Sequence, residues 1–131
     1  MSAETPAFLT LEQVEFLHRV SLEEHGGQDG VRDPAALASA VMQPRNIWLY
    51  GQCDIFDVAA AYAFHLAQSQ AFLDGNKRAG MGAALVFLEG HGSPVREATE
   101  ELHGAMIAIA ERRMNRAELA DIFRRLCARS G

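Results

Sequence analysis

Two alanine-rich stretches, Asp54 to Gln70 and Asn76 to Glu89, flank a single tight turn, and this pairing limits what the chain can fold into more than any other feature. Asp54 followed by Asp57 reads as an N-terminal cap, and Phe56, Ala59, Ala60, Ala63, Phe64 and Ala67 give the first stretch a broad apolar face at helical spacing. Alanine carries little side-chain bulk, so a neighbouring helix can come close. The second stretch holds Gly80 and Gly82, each costing about 1 kcal/mol relative to alanine in a helix, a loss that tight packing offsets. Gly90-His91-Gly92 ends it, and Ser93-Pro94 prevents its continuation. The expectation is a central helical pair with the turn Gln70–Arg78 held between the helix ends.

The flanking sequence adds further helices. Thr10 with Gln13 forms a capping box for a helix whose Leu11, Val14 and Leu17 share a face until Gly26-Gly27. His18 and His25, on or near this helix, have no second ligand at fixed spacing, which argues against a metal role. Asp33-Pro34 is an N-cap and first-turn pair opening a short helix expected to stop before Pro44. Arg45 to Cys53, with Ile47, Trp48, Leu49 and Tyr50 in a row, is the least helical part; a short extended flap and a buried loop packed by Trp48 both fit it. Thr99 to Arg113 repeats apolar residues on one face through Leu102, Met106 and Ile109. Asn115 and Glu118 form another capping box, before the Leu119, Ile122, Phe123, Leu126 stripe of the last helix. Arg112, Arg113, Arg116, Arg124, Arg125 and Arg129 gather in these last two helices. Solvated helix ends account for them, with contact to an acidic protein segment as the alternative.

The turn itself carries the chemistry. Gly75 between Asp74 and Asn76 permits a sharp bend, and the N–H groups after it open a helix. Free N–H groups and the positive end of a helix dipole attract anions. Lys77 and Arg78 add two cations where helix electrostatics alone would favour acids, and Asp74 offers the hard oxygen that Mg²⁺ takes beside nucleotide phosphates. An ordinary solvated helix-to-helix turn has the same composition. Lys77, however, is the single lysine among 12 basic residues, which favours a placed side chain.

The run Phe72-Leu73-Asp74-Gly75-Asn76-Lys77-Arg78 resembles the core motif of the Fic/Doc family, His-x-Phe-x-Asp/Glu-Gly/Ala-Asn-Lys/Gly-Arg, at every defined position but the first, where this chain has Gln70. Gly26-Gly27, Arg32-Asp33-Pro34 and Ala83-Ala84-Leu85-Val86-Phe87-Leu88 extend the resemblance to the Doc (death-on-curing) branch. The resemblance implies that Asp74 holds Mg²⁺ on ATP phosphates and that Gly75 and Asn76 form the anion hole. Lys77 and Arg78 would then neutralise phosphate charge while a buried Phe72 anchors the loop. It implies a flap near Arg45–Cys53 that aligns a target segment. Lys77 and Met81, where adenylylating members carry Gly and Arg, match the Doc branch. That branch is kinase-like, moving a terminal phosphoryl group to a Ser or Thr hydroxyl of a translation factor, as the toxin of a toxin–antitoxin pair.

Gln70 stands where the family has its general base, and an amide has no basic lone pair near neutral pH. Losing a positioned base costs about 10²–10⁴ in rate, so a severely impaired enzyme is expected. A catalytically retired nucleotide- or protein-binding module and an adenylyltransferase are the alternatives. Gln70 fits either an inactive or repurposed family member or a His-to-Gln change that let a toxic protein be made. His65 lies five positions before Gln70, roughly 140° around the helix, and is expected to face elsewhere.

Composition sets the remaining bounds. At 131 residues and 49% hydrophobic, residues 1–131 read as a single domain, a compact all-α, six-helix Fic-like bundle with room for a two-stranded flap. A net charge of −5 argues against a nucleic-acid surface. No apolar run reaches a membrane span, and Met1-Ser2-Ala3-Glu4 lacks signal-peptide order, which predicts a cytoplasmic protein without a membrane partner. Cys53 and Cys127 show no metal or redox spacing. The expected ligands are ATP and Mg²⁺, and the expected partners are an antitoxin and a translation factor.

Overall fold

A computed structural model of the chain describes residues 5–96 and 99–130, so Met1-Ser2-Ala3-Glu4 and the side chain of Arg129 lie outside the described residues. Six helices follow in order: α1 (Leu11–His25), α2 (Pro34–Tyr50), α3 (Ile55–Ser69), α4 (Asn76–Gly90), α5 (Thr99–Ala110) and α6 (Arg116–Ser130). The architecture is the expected all-α bundle. Strand pairing among the described residues is confined to one isolated antiparallel bridge, Val31 with Phe72.

The local signals placed the helix starts well. Thr10 and Gln13 close a capping box on α1, Asp33 accepts from the Ala36 N–H on α2, and Asp54 and Asp57 close a box on α3. Asn115 and Glu118 exchange hydrogen bonds of 2.8 and 3.0 Å ahead of α6. Each cap satisfies backbone N–H groups that the first helical turn leaves without partners.

The middle of the fold is α3, which packs against α2, α4, α5 and α6. Val58, Ala59, Ala60, Ala61, Tyr62, Ala63, Leu66 and Ala67 are all fully buried, so this short-side-chain helix is surrounded on nearly every face. Its closest neighbour is α4. A β-carbon at Gly80 would stand 2.7 Å from the Ala63 carbonyl oxygen, so the crossing requires glycine there. Gly82 has open space around it, and no packing contact explains it. Tyr62 reaches back from α3 to accept the Leu9 N–H at 2.7 Å, tying the start of the chain to the core.

Two expectations fail in α2. The helix does not stop before Pro44 but runs on to Tyr50, with the Gly51 N–H closing on the Ile47 carbonyl at 3.0 Å. Pro44 is buried, so packing of its ring compensates the hydrogen bond that proline removes. Arg45 to Cys53 is therefore not a flap. Trp48 packs half-buried against the core, while Leu49 and Tyr50 are 71% and 88% exposed on the last turn. The segment lying against the Gln70–Arg78 turn is instead the connection between α1 and α2.

The C-terminal arginines are largely engaged inside the chain. Arg124 bridges Asp54 at 2.9 Å, Asp57 at 2.8 Å and Asp121 at 2.6 Å, fastening α6 to the start of α3. Arg125 pairs with Glu101, Arg113 with Glu111, and Arg112 donates to the Gln68 side chain.

Candidate functional site

The turn between α3 and α4 is built from both ends and from below. At its entry Gln70 takes a left-handed conformation (φ 53°) as the cap of α3, and its side-chain amide donates back to the Ala67 carbonyl at 3.1 Å. The Arg32 guanidinium donates to the Gln70 carbonyl oxygen. Phe72 is 1% exposed, so the residue that the family resemblance gives as buried is buried. Asn76 closes the loop internally: its side-chain oxygen accepts the Phe72 N–H at 3.0 Å, and its amide donates to the Phe72 carbonyl at 3.1 Å. The Asn76 side chain is thus consumed by the fold, leaving its backbone N–H as the group it can offer an anion.

Residues 26–33, between α1 and α2, strap the loop along one side. The Leu73 N–H donates to Gly30 at 3.0 Å, and the Arg32 N–H to Ala71 at 2.7 Å, flanking the Val31–Phe72 bridge. A β-carbon on Gly27 would meet an Asp74 carboxylate oxygen at 2.9 Å, so this glycine makes room for the acid. The sequence displays the glycines but not what they approach, so the residues lying against the turn could not be read from it.

Sequence reasoning also passed over His18. It is 2% exposed, lies flat on Phe72 with ring centroids 3.7 Å apart and planes 9° apart, and its Nε2 stands 2.7 Å from the Asp74 carbonyl oxygen. Burial on the Val14 face of α1 was the available signal. Its partners are 56 residues downstream, beyond any local pattern.

Above this support the loop presents an open helix end. Gly75 is the N-cap of α4 in a left-handed conformation (φ 77°), no side chain caps the helix among the described residues, and its first turn contains no acid. The Asn76, Lys77 and Arg78 N–H groups therefore project without intrahelical partners, and the first ladder bond is Ala79 N–H to Gly75 at 2.9 Å. Asp74 is exposed beside them; one carboxylate oxygen accepts the Gly75 N–H at 2.8 Å and the other the Gln28 N–H at 3.3 Å. Each oxygen keeps a free lone pair, so a single Mg²⁺ shared with phosphate oxygens fits this carboxylate. Three-residue clusters of metal-ligating side chains are absent among the described residues.

Lys77 and Arg78 are exposed and line a groove of about 720 Å³ between α1, α4 and α5. Leu17, Met81, Leu85 and Met106 form much of its wall, and Arg96 adds a third cation. Gln70 lies outside the groove; the neighbouring hollow, about 280 Å³, is lined by Ser69, His65 and Arg112 among others. His65 lines that second hollow, away from the Gln70–Arg78 turn as its helical position requires. Burial, reinforced by the nearby Arg116 charge, pushes its pKa down to about 4, so it is neutral at physiological pH. Its Nε2 is buried without a hydrogen-bond partner among the described residues.

No helix among the described residues is long and apolar enough to cross a membrane. The protein kinase doc of Escherichia phage P1 is 29% identical over 116 residues, an alignment covering 88% of this chain and 91% of that protein. The family model for the Fic/DOC family matches residues 8–88, the span holding the strap, His18, the loop and the whole of α3 with most of α4. With that match over more than half its length, the chain belongs to the Fic/DOC family.

Proposed function

We propose that this chain is a Doc-like toxin whose α4 N-terminus grips the phosphates of ATP·Mg²⁺ for phosphoryl transfer to a Ser or Thr hydroxyl of a translation factor. The observation that carries the reading is the start of α4, which no side chain caps among the described residues and which follows the exposed Asp74, with Lys77 and Arg78 in its first turn and the Arg78 guanidinium donating to the Gly26 carbonyl at 3.3 Å. Phosphoryl transfer needs little covalent help from a protein and depends on positioning and charge neutralisation, which is what such an end supplies. In this reading the exposed Asp74 carboxylate would hold Mg²⁺, which would neutralise phosphate charge when bound. Lys77 and Arg78 bring two full positive charges to the same anion, and the N–H groups fix its orientation.

Proton removal from the attacking hydroxyl is the missing part. The Gln70 amide is not basic and is turned back onto Ala67, and His65 faces the other hollow. The chain as it stands therefore binds nucleotide but transfers phosphoryl slowly, about 10²–10⁴ below a family member with its histidine. A retired nucleotide-binding module is the second reading, favoured by this same Gln70 geometry. Lys77 and Met81 support phosphoryl transfer over adenylylation. The cellular partner of an active form would be an antitoxin.

Gln70→His tests the reading. The restored enzyme is expected to gain about 10²–10⁴ in transfer of the γ-phosphoryl group and to arrest growth of a host lacking an antitoxin. A folded revertant that leaves growth and its target protein untouched overturns the toxin assignment.

A further inference from the structure

We propose that His18 is the positioning residue of the phosphate turn, holding the Asp74–Gly75 peptide plane so that the open end of α4 keeps one orientation. The inference rests on the polyphosphate reading above for its consequence, though not for its geometry. The other supports grip the turn on either side of this peptide: Leu73 is bound to Gly30, and the Asn76 side chain closes on Phe72. At the Asp74–Gly75 peptide itself the Gly75 N–H donates, among the described residues, to the Asp74 carboxylate of its own turn, at 2.8 Å. Its carbonyl is held from outside by His18, at 2.7 Å.

That peptide is the one most free to rotate. Glycine populates both signs of φ, so a flip at Gly75 carries little steric penalty and would turn the N–H away from the carboxylate. A carbonyl only accepts, so His18 donates and Nε2 carries the hydrogen. The ring cannot swing away, because it lies stacked on Phe72 at 3.7 Å, and its edge is 3.5 Å from where a Gly75 β-carbon would stand. At 2% exposure, water cannot replace this donor without opening the core. His18 touches no substrate; it acts through the loop.

Donation and space-filling make opposite predictions, which two variants of the full chain separate. His18→Gln keeps an N–H near the Nε2 position and loses the ring, whereas His18→Phe keeps the ring and loses the donor. Amide hydrogen exchange at Phe72, Leu73 and Ala79 reports on the loop, and titration with ATP·Mg²⁺ reports on its use. The Phe variant is expected to unfold cooperatively yet lose about tenfold in loop protection and in ATP·Mg²⁺ affinity, the size of one hydrogen bond. The Gln variant should stay much nearer the parent in both. Should the Phe variant fail to fold, His18→Met, also without a donor, takes its place. The reverse order, with Phe near the parent and Gln impaired, overturns the proposal and leaves His18 as packing. Equal loop protection in all variants overturns it too. A parent chain that shows the expected exchange order but no saturable ATP·Mg²⁺ binding supports the positioning and removes the polyphosphate reading instead.

Discussion

The starts of α3 and α4 sit on two helices packed against each other, and they are finished in opposite ways. At α3, Asp54 and Asp57 cap the free N–H groups, and Arg124 from α6 closes over both acids. At α4 the cap is a glycine, the first turn carries Lys77 and Arg78, and no side chain covers the N–H groups among the described residues. The first arrangement fulfils what helix electrostatics favours; the second works against it by placing cations at the positive end of the dipole. Caps finish α1, α2, α3 and α6, whereas among the described residues α4 has none, and the proposed phosphate grip rests on that contrast.

Making the open end resemble the closed one should separate binding from stability. Lys77→Glu replaces a cation by the acid such a position normally carries. Calorimetric titration should show ATP·Mg²⁺ affinity falling roughly tenfold to a hundredfold, the range for a charge-assisted contact. Thermal unfolding should meanwhile show a gain of about 0.3–1 kcal/mol from the relieved dipole. Loss of both affinity and stability would mean that Lys77 holds the fold together.

The converse change acts on the closed end. Asp54→Ala removes the α3 cap and one arm of the Arg124 network, and urea unfolding should register a loss of about 0.5–2 kcal/mol with nucleotide affinity unchanged. If affinity drops as well, the two ends are coupled through the α3–α4 contact.

The third contrast is in the pH dependence. Burial alone would raise the Asp54 carboxyl, but hydrogen bonds from Arg124 and from the Asp57 backbone bring it below its ordinary 3.8. Its contribution to stability is present above that value and is lost as pH falls through the lower folded pKa. His65 titrates in a separate window. Its folded pKa of about 4 lies below the unfolded 6.5, so the unfolded chain binds the extra proton between them. The associated stability is complete above pH 6.5 and fades as pH falls towards 4. His65→Leu should flatten urea midpoints measured from pH 7.5 to 5, whereas Asp54→Ala should leave that interval as it is.

What the sequence revealed follows the range of the forces involved. The caps at Thr10, Asp33, Asp54 and Asn115 are contacts within one helical turn, and reading the chain located all of them. The bend at Gly75 was legible because a glycine between two helical stretches permits a sharp turn, whereas the burial of Phe72 was legible only through the resemblance to the family motif. Pro44 was misread because a local rule, that proline ends helices, yielded to the burial of its ring in α2. The strap and His18 were missed for the complementary reason. Gly30 with Leu73, Gly27 with Asp74 and His18 with Phe72 are contacts between distant segments, and their meaning exists only after the chain has folded.

Isothermal titration of the folded chain with ATP and Mg²⁺, run beside Asp74→Ala, settles whether the α4 end is a phosphate grip. A single saturable site, weakened roughly tenfold or more when the Asp74 carboxylate is removed, is the expected result. No saturable heat from a cooperatively folded protein, or binding indifferent to Asp74, contradicts it.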